Sequence, residues 1–165
     1  MRPPDYMTLS RGLISLLLLA LIPLGIKNIG LGVILYILGW TTDILDGRMA
    51  RTTGNKGRLA IWDFPLDMIL TGAGAAYCAY IGIIPGLFFW TWGILWLLLV
   101  IITRNQAVIM FTAFVCHVVS GVGLANASLF WFLVLVFWIA LMLAVDFRRF
   151  GQVVRGFIKS AKEFW

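Results

Sequence analysis

The chain has 165 residues, of which 62% are hydrophobic and only 12% are charged. A soluble domain carries about a quarter charged residues, and the apolar residues here form long unbroken runs, which excludes an ordinary soluble fold and predicts a polytopic membrane protein. The net charge of +6 requires no nucleic-acid partner, because basic residues beside membrane spans act as topology signals and contact anionic lipids.

Six apolar segments approach the length that a membrane-spanning helix needs, about 17–25 residues. In chain order they are Thr8–Ile26, Ile29–Leu45, Leu59–Ile83, Leu87–Ile102, Ala107–Leu124 and Leu129–Val145. We therefore predict an all-α integral membrane protein with six transmembrane helices. The first segment is long for a signal peptide and no A-x-A-like cleavage site follows it, so we expect it to be retained.

The distribution of Lys and Arg predicts the orientation of these spans. If both termini lie on one side of the membrane, twelve of the 13 basic residues lie on that side and only Lys27 lies on the other. The positive-inside rule then makes both termini cytoplasmic, together with the segment that joins spans two and three. We expect an integral protein of a prokaryotic inner membrane.

Most of the acidic residues lie at the ends of spans two and three, as Asp43, Asp46, Asp63 and Asp67. The first two are three residues apart and the last two are four apart, so on helices each pair occupies one face. Carboxylates beside hydrocarbon are costly unless cations neutralise them, and oxygen ligands suit hard cations. The pattern predicts a cytoplasmic-side active site in which all four carboxylates bind Mg²⁺, Mn²⁺ or Ca²⁺, and such ions bridge a pyrophosphate.

The acidic segment resembles a known family signature. The run D-I-L-D-G-R-M-A-R at residues 43–51, followed by D-F-P-L-D at residues 63–67, is similar to the motif D-x-x-D-G-x-x-A-R … G-x-x-x-D-x-x-x-D of the CDP-alcohol phosphatidyltransferases. The first half matches at every fixed position, and T-L-S-R-G-L at residues 8–13 is similar to the T-L-x-R entry of this family. The resemblance covers most of the chain.

The resemblance implies an activity in phospholipid biosynthesis, with CDP-diacylglycerol as donor and a small alcohol or phospho-alcohol as acceptor. A phosphatidyl group would pass to the acceptor, and CMP would leave. By resemblance, Asp43, Asp46 and Asp63 are the main metal ligands. Asp67 is the general base that deprotonates the acceptor hydroxyl, and it also shares a metal ion.

Further site residues and a partner follow from the same resemblance. Gly47, Ala50 and Arg51 would line the CDP site, and Arg11 and Arg104 are candidates for binding the acceptor. The family is usually dimeric, and the small-residue run at 72–76 allows close helix packing within a bundle or across a dimer, so we predict a homodimer.

The chain departs from the family pattern at three places. Leu59 stands where the signature has Gly, one residue closer to Arg51 than usual, and Gly57 is the nearest replacement. Met68 stands where many glycerol-phosphate-using members have Lys, and only Arg104-Asn105-Gln106 precedes span five where they have a Lys-rich motif. The acceptor pocket is therefore not the common one.

Three rival functions stay open. An intramembrane prenyltransferase also binds a pyrophosphate through two Asp-rich motifs, although it does not need D-G-x-x-A-R. A cation carrier or channel would place its acidic residues near the membrane midplane rather than at one face. The third is a homologue that binds CDP-lipid without turnover, and the reason to consider it is the replacement of the family's Gly by Leu59.

Two regions lie apart from the acidic segment. We divide the chain into a membrane domain at residues 1–145 and a basic tail at residues 146–165, which we expect to form an amphipathic helix on the cytoplasmic leaflet; a frayed tail is the alternative. An intramembrane His such as His117 is a functional candidate by default. Its position in the middle of span five favours a hydrogen-bonded packing residue.

Overall fold

The structure is a computed structural model that describes residues 3–53, 58–103 and 105–145, and residues 147, 151 and 155. Within these residues there are six α-helices and no strand, which confirms the all-α class. The helices are α1 (Pro3–Ala20), α2 (Ile29–Thr53), α3 (Asp63–Tyr80), α4 (Gly86–Thr103), α5 (Gln106–Ala127) and α6 (Leu129–Val145). Short 3₁₀ turns at Ile22–Leu24, Ile26–Asn28 and Ala60–Trp62 precede α2 and α3.

The helices agree with an integral membrane protein. Among the described residues, four helical segments are long and apolar enough to cross a bilayer: Asp5–Leu24, Ile26–Met49, Gly86–Thr103 and Ala107–Ala127. The helix α6 is apolar but has 17 residues, and α3 begins with the two aspartates Asp63 and Asp67. The prediction of six spans and a cytoplasmic active site therefore stays a prediction.

The helix boundaries differ from the sequence expectation most clearly at the end of α2. The second span was expected to end at Leu45, yet α2 continues to Thr53. Arg, Met and Ala are strong helix formers, and the sequence R-M-A-R at residues 48–51 contains only these types. The D-x-x-D-G-x-x-A-R run is thus helical over its whole length.

The first of two compact units comprises Met1–Ile83. Its helix α1 packs against both α2 and α3. Ile14 and Leu18 of α1 form a buried cluster with Leu70 and Ala73 of α3. Leu35 and Tyr36 of α2 pack against that cluster. This core lies adjacent to the acidic helix ends, so it fixes the relative positions of α2 and α3 there.

Glycines let α2 and α3 approach each other closely. A Cβ at Gly32 would lie 2.3 Å from Cε1 of Tyr77, and a Cβ at Gly74 would lie 2.5 Å from Cε2 of Tyr36. Ala73, Gly74, Ala75 and Ala76 are buried within the unit. Most of the small-residue run is therefore used inside one protomer, and the predicted homodimer receives no support from it.

The second unit comprises Ile84–Trp165, and in it α5 packs against α4 and against α6. Trp92 of α4 donates a hydrogen bond from Nε1 to the carbonyl oxygen of Thr112 in α5, at 2.9 Å. Neither α4 nor α6 contains a buried residue. Apolar helices whose side chains are half-buried or exposed suit a lipid environment. His117 hydrogen-bonds through Nδ1 to the carbonyl oxygen of Ala113 at 2.6 Å, and its packing role stays a prediction.

Candidate active site

The four aspartates come together in the first unit, on the two helices that the sequence predicted. Asp43 and Asp46 lie one turn apart on α2, and Asp63 and Asp67 lie one turn apart at the start of α3. Asp63 is the first residue of α3, where the positive end of the helix dipole favours a negative charge. The helix spacing makes the pairs, and the packing of α1, α2 and α3 brings them together.

Arg11 of α1 lies between the two pairs and contacts all four carboxylates. Its Nη1 is 3.1 Å from Oδ1 of Asp43 and also pairs with Oδ1 of Asp67. Its Nη2 is 3.0 Å from Oδ2 of Asp46 and 2.5 Å from Oδ1 of Asp63. Each terminal nitrogen therefore joins one carboxylate of α2 to one carboxylate of α3. We call this arrangement of Arg11 and the four aspartates the carboxylate cluster.

The carboxylate cluster has a buried side and an open side. The side chain of Arg11 is 0% exposed and that of Asp46 is 7% exposed. The other three carboxylates are between 31% and 39% exposed. A ligand that reaches the cluster therefore meets Asp43, Asp63 and Asp67 first, and Asp46 lies behind them.

A hydroxyl on α1 supports the cluster from the buried side. Thr8 is 2% exposed, and its Oγ1 donates a hydrogen bond to Oδ1 of Asp63 at 2.8 Å. The same hydroxyl lies 3.4 Å from Oδ2 of Asp46. Thr8 thus reinforces the contact that Arg11 makes between Asp46 and Asp63. The T-L-S-R sequence at residues 8–11 supplies both groups, because residues three apart share a helix face.

The N-terminal turn of α1 holds the segment that leads into α3. Asp5 is 1% exposed, and its Oδ1 accepts a hydrogen bond from the backbone N–H of Leu59 at 2.9 Å. Leu59 has φ −91°, which any L-residue adopts, so the absence of the family's glycine strains nothing in the backbone here. Asp5 therefore fixes the chain four residues before Asp63.

The sequence analysis missed Asp5 and Thr8, although a signal for them exists. Asp5, Thr8, Arg11 and Ser15 are spaced by three, three and four residues and are all buried on a largely apolar helix. Such spacing places polar residues on one face. A polar stripe on a membrane helix faces protein rather than lipid and marks functional neighbours.

The other predicted site residues are described only in part. Gly47 follows Asp46 in α2, and Ala50 and Arg51 belong to the same helix, but the side chains of the last two lie outside the described part of the chain. Arg104 and most of the tail at residues 146–165 also lie outside the described residues. Their predicted roles at the CDP site, at the acceptor site and on the membrane stay predictions.

The chemistry of the cluster suits a hard divalent cation, since its ligating atoms are carboxylate oxygens. Its present arrangement suits a guanidinium instead. Within the part of the chain that the structure describes, no three Asp, Glu, His or Cys side chains are grouped so that they hold a metal ion. Oxygens from all four carboxylates instead contact the terminal nitrogens of Arg11.

Comparison with protein families gives a match over almost the whole sequence. The family model described as CDP-alcohol phosphatidyltransferase matches residues 1–159. This chain belongs to that family. A comparison with curated proteins and one with solved structures found no match. CDP-alcohol phosphatidyltransferases move a substituted phosphate group from a CDP-alcohol donor to an alcohol acceptor. The carboxylate cluster is built from the aspartates of their signature.

Proposed function

We propose that this phosphatidyltransferase uses CDP-diacylglycerol as donor, transfers its phosphatidyl group to a small alcohol or phospho-alcohol, and releases CMP. The observation that supports the proposal is the convergence of Asp43, Asp46, Asp63 and Asp67 on the guanidinium of Arg11. Such a concentration of carboxylates serves a substrate that brings compensating cations, and a pyrophosphate does so.

The four aspartates would hold Mg²⁺ or Mn²⁺, with Asp43, Asp46 and Asp63 as the main ligands and Asp67 as a shared one. Bound there, a divalent ion neutralises charge on the pyrophosphate of the donor. Gly47 and Ala50 would allow the nucleotide to approach α2 closely, and Arg51 would meet a phosphate oxygen. Arg104 remains a candidate for the acceptor.

Asp67 is proposed as the general base. Its carboxylate is on the open side of the cluster and 31% exposed, so an acceptor hydroxyl can reach it. The hydroxyl proton passes to Asp67 while the acceptor oxygen forms a bond to the phosphorus of the phosphatidyl group. The bond from that phosphorus to the oxygen of CMP breaks, and CMP leaves with the electron pair.

Six membrane spans with both termini cytoplasmic complete the proposal. The carboxylate cluster would then lie at the cytoplasmic face of a prokaryotic inner membrane, and the basic residues around it would attract anionic substrates. A labelling experiment that finds the C-terminus on the same side of the membrane as Lys27 would contradict this orientation. A homodimer is proposed on family grounds only, and a strictly monomeric protein in bilayers would count against it.

The decisive experiment measures CMP release by the purified full chain. CDP-diacylglycerol is supplied with Mg²⁺ or Mn²⁺ and a panel of acceptors: glycerol phosphate, inositol phosphate, serine and a second lipid. We expect CMP release that requires both the metal and one acceptor, and loss of release in the matched variant Asp43→Asn. Donor binding without CMP release for any acceptor would favour the binding-only function. Pyrophosphate release from a prenyl diphosphate would favour the prenyltransferase.

A further inference from the structure

Arg11 takes the position in the carboxylate cluster that faces all four acidic side chains. Its guanidinium is fully buried and its two terminal nitrogens make four ion pairs, two each. Its Nε is buried and has no hydrogen-bond partner among the residues that the structure describes. A buried N–H without a partner carries a desolvation penalty. The guanidinium is therefore well matched to the carboxylates and imperfectly matched to the rest of its surroundings.

A divalent cation and this guanidinium require the same oxygens. Oxygen ligands lie about 2.0–2.6 Å from Mg²⁺ or Ca²⁺. The oxygens that face each other across the cluster are already within 2.5 to 3.1 Å of Nη1 or Nη2. A cation bound between Asp46 and Asp63, or between Asp43 and Asp67, would overlap a nitrogen of the same sign. The two occupants exclude each other.

The pairing pattern explains why a guanidinium serves in the absence of metal. Nη1 joins Asp43 to Asp67, and Nη2 joins Asp46 to Asp63, so each nitrogen spans α2 and α3. Without any cation, the carboxylates of the two helices repel each other. Arg11 offsets that repulsion and keeps carboxylate oxygens of both helices around one site.

We propose that Arg11 is an exchangeable internal cation that holds the four carboxylates together until divalent metal binds and displaces it. The inference rests on the proposed metal dependence of this site. It goes beyond the acceptor-binding role suggested by the family resemblance, because it gives Arg11 a function in the protein without substrate. Arg11 is in this sense a positioning residue that competes with the metal.

The test compares divalent-ion affinity in the purified full chain in detergent, with Mn²⁺ as the probe and free Mn²⁺ measured by electron paramagnetic resonance. Arg11→Met removes the competing charge, so we expect Mn²⁺ to bind roughly tenfold or more tightly than in the unmodified protein. Without metal, the Arg11→Met variant should unfold at a lower temperature than the unmodified protein, since its carboxylates then repel each other. Saturating Mn²⁺ should remove that difference.

Two further variants keep the test decisive. Arg11→Lys keeps the charge but offers one nitrogen instead of two, so it should fold without metal and show intermediate affinity. Thr91→Val in α4 is the matched control, because among the contacts that the structure describes the Thr91 hydroxyl bonds only to carbonyl oxygens of its own helix, those of Leu87 and Phe88. Its Mn²⁺ affinity should equal that of the unmodified protein. If Arg11→Met does not fold, the Arg11→Lys comparison decides.

Equal or weaker Mn²⁺ binding in the Arg11 variants would overturn the proposal, because it would show that Arg11 only holds the carboxylates in place and does not compete with the metal. The same holds if neither variant nor unmodified protein binds Mn²⁺. Metal-dependent CMP release combined with unchanged affinity in the variants would remove this inference and leave the proposed function in place. Tighter Mn²⁺ binding in the variants, combined with no CMP release by any of the proteins, would support the exchange of Arg11 for metal and contradict the proposed function.

Discussion

The two units use their buried residues in opposite ways. In the first, Met1–Ile83, the most deeply buried side chains include the polar residues Asp5, Thr8 and Arg11 as well as Leu18 and Leu70. In the second, Ile84–Trp165, the helices α4 and α6 bury no residue at all. Burying polar groups is costly unless they are paired. The first unit pairs its buried polar groups with one another, whereas the buried residues of the second unit lie mainly on α5 and are mostly apolar.

The largest expected effect is on catalysis in the first unit. Asp67→Asn removes the proposed base while keeping a neutral oxygen at the same place, so turnover should fall by about 10²–10⁴-fold. Binding of CDP-lipid should be retained in large part. A loss of turnover below tenfold would assign the base to another residue.

Asp46→Asn is the comparison that separates the two roles. Asp46 lies on the buried side of the carboxylate cluster, and its change removes a charge from the proposed ion site. Metal affinity and CDP-lipid affinity should fall together in this variant. Isothermal titration of both ligands, run beside Asp67→Asn, distinguishes a ligand from a base.

A smaller effect is expected where α1 holds the entry to α3. Asp5→Ala leaves the backbone N–H of Leu59 without its acceptor, which costs about 1–3 kcal/mol in the free energy of unfolding. Turnover should also fall, because Asp63 follows four residues later. Asp5→Asn keeps an acceptor oxygen and serves as control. Equal turnover in the Ala and Asn variants would show that Asp5 does not position this segment.

The close packing between α2 and α3 should make the first unit more sensitive than the second to an added methyl group. Gly32→Ala places a Cβ against the ring of Tyr77, and overpacking of this kind costs about 1–3 kcal/mol. Gly93→Ala in α4 is the matched control, because apart from its chain neighbours and its own helix backbone no described atom lies within 4 Å of the added Cβ. The unfolding midpoint should fall in the first variant only. Equal midpoints would mean that the ring of Tyr77 moves aside without lowering the stability of the protein.

The smallest effect is expected in the second unit. Trp92→Phe removes the hydrogen bond to Thr112, which contributes about 0.5–1.5 kcal/mol to stability. Turnover per folded molecule should stay unchanged, since Trp92 has no proposed part in the reaction. A fall in turnover beyond the change in stability would bring the second unit into the chemistry and weaken the contrast between the units.

Much of the fold was predictable from the sequence, because membrane helices follow from long apolar runs. The predicted sixth span and α6 have the same ends, Leu129 and Val145. The end of α2 was not predictable from apolarity, because polar residues with high helix propensity continue the helix beyond the apolar run. The use of the small residues at 72–76 was also open, since close packing within a protomer and across a dimer require the same residue types.

The sequence by itself determined which aspartates belong together, since spacings of three and four residues place Asp43 with Asp46 and Asp63 with Asp67 on any helix. Only the tertiary structure decided what lies between the two pairs. In the sequence, Arg11 is one basic residue among 13, and its helical spacing with Asp5, Thr8 and Ser15 marks a polar face without saying which charges that face meets. The packing of α1 against both α2 and α3 decides which charges it meets, because it places one guanidinium within reach of four carboxylates that are 32 to 56 residues away along the chain.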